Sequence, residues 1–422
     1  MLDFLGHLVP ALKSGDWLNP RRITAYAAIL VAFELLAFLF VTAGTYGLMV
    51  PLDRPNTTDF VSFYAAGNLA DSGLPQATYD HAQHLAAEEA ATQHGIGYVL
   101  FVYPPVFMLI CAALARLPYL AAFTLFEGLT LIPCLYVLRA IVREKGWGAF
   151  IPLLAFPAVA INIGLGQNAL LTAALFGGAT LLIDRRPIVA GLLFGVLCYK
   201  PHFGLLIPLA LAAGGRWRAV AGAAASAVAL ICLSGAAFGV QTWQAFIVAI
   251  TGSHTIYESG QVDFAAFVSS FGAVRLMGGS PGLAYLVQGA VSLAAAALVA
   301  VVWRRNLSLP VRAATLASAT LVALPLILFY DFLMAGVAMA WLVRAGKQDG
   351  FLPWEKTLLL TVFMTPLLSR GIGTALHLPI ATAAGYMLLA LCATRAWREY
   401  RLARPAAGHA VRQPDMRGMA AG

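Results

Sequence analysis

The chain has 422 residues, of which 60% are apolar and 11% charged. A soluble domain carries roughly 25% charged residues, and the few here could not coat a soluble protein of 44.7 kDa. A cytosolic enzyme, a disordered regulator and a nucleic-acid binder are therefore excluded. The formal charge is +8 and the mean hydropathy +0.80. The basic residues fall in small clusters between apolar runs, which is a topology signal and not a phosphate-binding stripe. The fold class is an all-α polytopic membrane protein.

Residues 1–22 are polar and helix-like and form a cytoplasmic N-terminal segment. The apolar run Ile23 to Val50 is too long for a signal-peptide core and long enough to span a bilayer. Further apolar runs follow at 99–116, 119–138, 147–164, 167–183, 188–213, 217–239, 281–303, 311–343 and 352–394. The last two are long enough to fold as hairpins. These runs predict about ten to twelve membrane helices in one membrane domain over 23–396, several of them short or broken. Only helices and closed barrels satisfy backbone groups in lipid, and the alternating pattern of a barrel is absent. Cys111, Cys134, Cys198, Cys232 and Cys392 all lie in apolar stretches without paired spacing and read as small core residues.

Two polar loops interrupt the apolar pattern. The first, about 51–98, holds Asp53, Asp59, Asp71, Asp80, Glu88, Glu89, His81, His84 and His94, with Arg54. The second, about 240–280, holds Glu258, Asp263, His254 and Arg275. Basic clusters lie elsewhere, at Lys13-Arg21-Arg22, Arg139-Arg143-Lys145, Arg185-Arg186, Arg216-Arg218, Arg304-Arg305-Arg312, Arg344-Lys347 and Arg395-Arg398-Arg401-Arg404. The positive-inside rule puts these clusters in the cytoplasm and both loops outside. A cytoplasmic tail begins at 397, and its Pro-, Gly- and Ala-rich part predicts disorder. Between Tyr103 and Arg139, and between Arg186 and Arg216, the lengths do not suit simple full crossings. Prolines 104, 105, 118, 133, 201 and 208 lie there. Broken or re-entrant helices near a cavity are the expected solution.

In the first loop, Thr57-Thr58-Asp59 precedes the apolar-rich Phe60 to Leu69, a helix start, and Asp71-Ser72-Gly73 ends it. Tyr79 to Thr92 reads as a second helix. Both are expected to lie along the outer membrane surface.

The informative polar residues sit at the outer edge or inside apolar runs. Asp59 fits a helix N-cap and equally a general base at the water–lipid boundary. Tyr103-Pro104-Pro105 breaks a helix and could shape a cavity wall. Gly166-Gln167-Asn168 is a turn whose amides could cap it or bind sugar hydroxyls. Lys200-Pro201-His202 lies inside a 26-residue apolar run, where a lysine costs about 2.5–3.5 kcal/mol on insertion scales. Its cation could neutralise a phosphate or snorkel to the interface. Asp331 interrupts another long apolar run and could partner Lys200 or another cation, in a structural or a catalytic role. Glu34 and Glu127 read as structural carboxylates. His254 could cap a helix or touch a phosphate or acceptor.

These pieces occur in a recognisable order. An acidic residue leads Asp59-Phe60-Val61-Ser62-Phe63-Tyr64, and Gly73 and Tyr79 follow. Then come Tyr103-Pro104-Pro105, Gly166-Gln167-Asn168, Lys200-Pro201-His202 and Tyr330-Asp331. The pattern resembles glycosyltransferase family 87, membrane enzymes of the GT-C fold similar to polyprenyl-phosphate-mannose-dependent α-mannosyltransferases. The resemblance implies a polyprenyl-phosphate-linked sugar donor, mannose above all, and a lipid or glycan acceptor, used at the outer face of the plasma membrane. It implies inversion at the anomeric carbon, with no metal, cofactor or nucleotide sugar. Asp59 takes the general-base position, with Asp53, Asp71 and Asp80 as competitors. Lys200 and His202 are placed at the donor phosphate. Tyr64, Tyr103, Gln167, Asn168, His254 and Asp331 are placed at the sugar or acceptor. A transporter or lipid flippase using the intramembrane Lys, His and Asp, a GT-C polymerase or ligase, and a non-enzymatic assembly subunit stay open as alternatives.

Overall fold

The computed structural model describes residues 2–45, 58–252, 258–260 and 262–403. Among the described residues the chain is helical, with a single isolated bridge between Phe267 and Leu328. Seven helices are long and apolar enough to cross a membrane, and the bent pair Trp147–Leu154 and Pro157–Leu165 makes an eighth candidate. The remaining apolar runs form shorter helices.

Helix α1 (Leu2–Ser14) is followed by α2 (Pro20–Thr45). The first loop folds into α3 (Phe60–Asp71) and α4 (His81–Ala91). Then come α5 (Pro105–Ala115), the long α6 (Tyr119–Val142), and α7 (Phe150–Leu154). Prolines at the first position start α5 and α8 (Pro157–Leu165), where a missing amide hydrogen costs nothing. Helices α9 (Ala169–Leu182), α10 (Pro187–Val196) and α11 (Ile207–Ala213) follow. Helix α12 (Trp217–Phe238) is a long span, and α13 (Val240–Gly252) and α14 (Ser270–Leu276) belong to the second loop. The chain closes with α15 (Pro281–Arg304), α16 (Leu309–Ala323), α17 (Leu333–Asp349), α18 (Glu355–Leu376) and α19 (Ile380–Ala403). Helix α19 thus continues past 396, where the tail was expected to begin.

The expected broken crossing between Arg186 and Arg216 is one of three helical hairpins. Helices α8 and α9 turn back on each other at Gly166-Gln167-Asn168. Helices α10 and α11 turn at Lys200, through short 3-10 segments on either side. Helices α16 and α17 turn through an extended stretch and the 3-10 segment Phe329–Phe332. All three are rooted at one end of the bundle. Asp184, where the first hairpin ends and the second begins, takes Arg216 at 2.6 Å and Arg312 at 2.8 Å. Arg216 closes the second hairpin and Arg312 opens the third, so one carboxylate ties the roots together. The other basic clusters meet at this end too. Glu399 accepts from Ser308 Oγ at 2.8 Å. Arg395 forks onto Glu355 at 2.5 Å. Lys347 pairs with Glu144, and the α1 end is tied down by the Trp354 amide donating to the Lys13 carbonyl at 2.7 Å.

The apolar stretch from Tyr103 to Arg139 divides differently. Helix α5 is short and packs beside α3, and only α6 runs the length of the bundle. Gly67 of α3 approaches so closely that a Cβ there would lie 2.2 Å from the Cys111 carbonyl oxygen. Helix α3 is therefore covered by protein on most of its surface. Phe60, Val61, Phe63, Ala65 and Ala66 are all buried, because the segment is apolar nearly all round, and such a helix is buried on every face. Its rings meet those of α5 and α6 edge to face, with Phe63–Phe107 centroids at 4.9 Å and Phe60–Phe123 at 5.5 Å. Helix α4 is capped by Asp80, whose carboxylate accepts from the Gln83 amide at 3.0 Å. The buried His84 ring nitrogen meets Ser62 Oγ at 3.1 Å, pinning α4 to α3.

Candidate active site

The tips of the three hairpins converge beneath the start of α3. Asp59 stands at the N-cap position of that helix, but its side chain makes no capping bond and its backbone is already helical. Its Oδ2 instead accepts from Gln167 Nε2 at 2.9 Å. Between the cap and the alternative, the geometry selects a carboxylate turned toward the hairpin tips. Gln167 is held on its other side. Its Oε1 accepts from the Tyr103 hydroxyl at 3.2 Å and from the Asn168 amide at 3.3 Å. Burial pushes the Asp59 carboxyl above the usual carboxylate range. The Gln167 hydrogen bond and the Arg370 charge pull it down, and Glu88 pushes it up.

Gly166 makes this arrangement possible. It lies in the left-handed region at φ +68°, ending α8, and a Cβ there would sit 2.6 Å from Cβ of Phe60. A side chain would push α3, and Asp59 with it, off the hairpin tip. The turn is locked from below by Asn162, whose Nδ2 donates to the Gln167 carbonyl at 2.7 Å and to Glu127 at 3.3 Å. Its Oδ1 accepts from the Ala169 amide at 2.9 Å, capping α9. Asn162 and Glu127 are both buried.

The second and third tips join through an ion pair. Lys200 Nζ donates to Asp331 Oδ1 at 2.5 Å and to Asn168 Oδ1 at 3.1 Å. The side chains are 3% and 2% exposed, so the partnership anticipated for Asp331 is present and is fully internal. Lys200 also lies over the rings of Phe203 and Tyr330, at 5.0 and 5.3 Å. The phosphate-facing role expected of Lys200 meets a different arrangement here, since its charge is matched and shielded. His202 is half-buried, its ring against Phe203 at 5.0 Å, and its Nε2 is buried without a hydrogen-bond partner. Asn168 Nδ2 is likewise an unpartnered buried donor.

Tyr64 stands apart from this chain of contacts. Its hydroxyl donates to the Leu117 carbonyl at 2.8 Å and its ring meets Tyr119 edge to face, so it braces the α5–α6 turn. His254 lies outside the described residues. Asp53 does too, while Asp71 faces Arg116 and Asp80 caps α4. Of the three described aspartates considered for the base, Asp59 is the one brought to the hairpin tips. Two polar residues near it were not singled out from the sequence. Asn162 is an amide inside an apolar helix, and Arg370 is a cation in the middle of the apolar run 352–394. The test that picks out Lys200, a costly polar group in an apolar run, would have picked both.

Comparison with known proteins bears on this scaffold. The family model "Glycosyltransferase family 87" matches residues 101–328, more than half of the chain. The chain belongs to glycosyltransferase family 87. No curated protein and no solved structure matches it. The family match covers the first two hairpins and the start of the third, with Tyr103, Gln167, Asn168, Lys200 and His202. Asp59, Tyr64 and Asp331 lie outside it. The chain is thus a membrane glycosyltransferase by its family, with the sugar donor and acceptor that such an activity requires.

Proposed function

We propose that this glycosyltransferase moves a sugar, mannose first among the candidates, from a polyprenyl-phosphate donor to a lipid or glycan acceptor at the outer face of the plasma membrane. The single observation that carries the reading is the Asp59 carboxylate, freed from capping and held by Gln167 above the hairpin tips. One carboxylate oxygen is fixed by the amide, which leaves the other to take the acceptor proton. General-base assistance needs only that reach. The acceptor oxygen attacks the anomeric carbon, the bond to the phosphate oxygen breaks, and polyprenyl phosphate leaves with the electron pair. Attack opposite the leaving group inverts the anomeric centre. A phosphate monoester is a stable leaving group, so the acid partner of the two-carboxylate glycosidases is not required.

The rest of the site positions these groups. Tyr103 and Asn162 orient Gln167, and the Lys200–Asp331 pair fixes Asn168, whose spare Nδ2 is suited to a sugar hydroxyl. His202 offers a second unpartnered nitrogen beside them. Lys200 acts here through Asn168, and the donor phosphate needs another cation. A location at the outer face agrees with the basic clusters gathered at the opposite end, where the positive-inside rule places the cytoplasm.

The test is transfer by the purified protein from labelled polyprenyl-phosphate mannose to endogenous membrane acceptors. Asp59→Asn and Asp59→Ala should abolish transfer with expression and chromatographic profile intact. An active Asp59→Asn enzyme would remove the general-base assignment.

A further inference from the structure

Resting on that reading, we propose that Arg370 of α18 holds the phosphate of the lipid donor, and that Asp263 of the second loop is the counter-ion it releases on binding. Arg370 and Asp263 form an ion pair at 3.0 Å, through Nε and Oδ2, with side chains 54% and 42% exposed. Lys200 is sealed and neutralised by Asp331; Arg370 is open. Asp263 engages its Nε, and among the described residues the two terminal amino groups of the guanidinium donate no hydrogen bond. Those groups form the fork that suits a phosphate.

Position agrees with the role. The guanidinium lies over the ring of Phe329 at 5.1 Å, and Phe329 begins the tip segment that contains Asp331. Its charge reaches the Asp59 carboxylate and favours the ionised form. A cation there serves both ends of the reaction, keeping the base ionised and meeting the charge that grows on the leaving phosphate. The placement is also built in. One turn along α18, Gly373 approaches Ala265 so closely that a Cβ would lie 3.0 Å from the Ala265 Cβ, which fixes the helix against the second loop.

Exchange of partners is easy by this geometry. Asp263 Oδ1 accepts from the Ala265 amide at 3.0 Å, so the carboxylate stays anchored when Arg370 turns to another anion. An exposed ion pair is weak, whereas a forked arginine–phosphate contact is strong. Arg370 lies beyond the segment matched by the family model.

The experiment measures binding of a radiolabelled short-chain isoprenyl monophosphate to the full-length protein in nanodiscs. Wild type should bind the isoprenyl monophosphate. Arg370→Gln should bind roughly tenfold to a hundredfold more weakly, the range for a lost charge-assisted contact, and Arg370→Lys should recover part of the loss. Asp263→Asn, which removes the competing anion, should bind at least as tightly as wild type. Arg370→Gln binding at wild-type strength would overturn the assignment while leaving the donor class standing. Weaker binding by Asp263→Asn would overturn it too, and keeps the test decisive if Arg370→Gln fails to fold. Absence of binding by wild type would bring down the lipid-phosphate donor itself, and this inference with it.

Discussion

The Lys200–Asp331 pair is the sharpest point at which structure and chemistry can be separated. Both side chains are nearly sealed and Nζ lies 2.5 Å from Oδ1. Replacing Asp331 by Leu would leave the ammonium with Asn168 Oδ1 at 3.1 Å as its one strong side-chain acceptor among the described residues. Removing one partner of a buried pair costs about 3–5 kcal/mol, because the other charge stays buried and unmatched. Lys200→Met should cost a similar amount, for it strands the carboxylate. The double variant Lys200→Met/Asp331→Leu carries no buried charge and should lie within about 2 kcal/mol of wild type. The cycle therefore predicts a strongly favourable coupling, far from additivity. The assay is reversible unfolding of purified protein in mixed detergents, followed by tryptophan fluorescence. Single variants costing less than about 1 kcal/mol, or an additive double variant, would refute the argument. Either result would mean that the ion pair is not held in the native protein and that Lys200 keeps a free charge for substrate.

Three further outcomes follow from the same geometry. Activity should fall on acidification at a pH above the usual carboxylate range, since Asp59 must be ionised to act and burial raises its pKa. Gln167→Leu removes a contact that lowers that pKa, so the acidic limb of its residual pH–rate profile should move further up; an unmoved limb would count against Asp59 as the titrating group. Gly166→Ala should lose most transfer and about 1–3 kcal/mol of stability, because it combines positive φ with a 2.6 Å clash against Phe60; full activity would show that the turn does not position Asp59. Asn162→Leu leaves the Gln167 carbonyl and the Ala169 amide unpaired, at about 1–3 kcal/mol each, and should lower kcat while isoprenyl monophosphate binding stays near wild type.

The ends of the bundle were legible in the sequence because charge is costly in an apolar layer and is confined to its borders. The clusters at Arg185-Arg186, Arg216 and Arg312 marked the hairpin roots, and the prolines around them marked crossings that would not complete. The Lys200–Asp331 pair was legible for the same reason: two opposite charges in apolar runs need each other, even 131 residues apart. What could not be read was direction. Asp59 satisfies every local rule for an N-cap, and only its contact with Gln167, 108 residues away, shows that the carboxylate turns elsewhere. The burial of α3 was missed because a short apolar-rich helix in a polar loop looks the same whether lipid or protein covers it.

The hairpins also explain why so few polar groups are left over for chemistry. A turn inside an apolar layer leaves backbone groups without partners, and side chains must meet them first. Asn162 spends its carbonyl oxygen on the Ala169 amide and its amide on the Gln167 carbonyl. Ser269 Oγ donates to the Pro325 carbonyl at 2.6 Å, and the Val268 amide to the Ile327 carbonyl at 2.9 Å, closing the third tip. Once these needs are met, what remains for chemistry among the described residues is the Gln167 amide, the spare nitrogens of Asn168 and His202, and the open fork of Arg370. Three of these four lie on hairpin tips whose own folding depends on their neighbours. Arg370 lies on a full-length helix, so of the four it is the group whose removal should most cleanly separate substrate binding from stability.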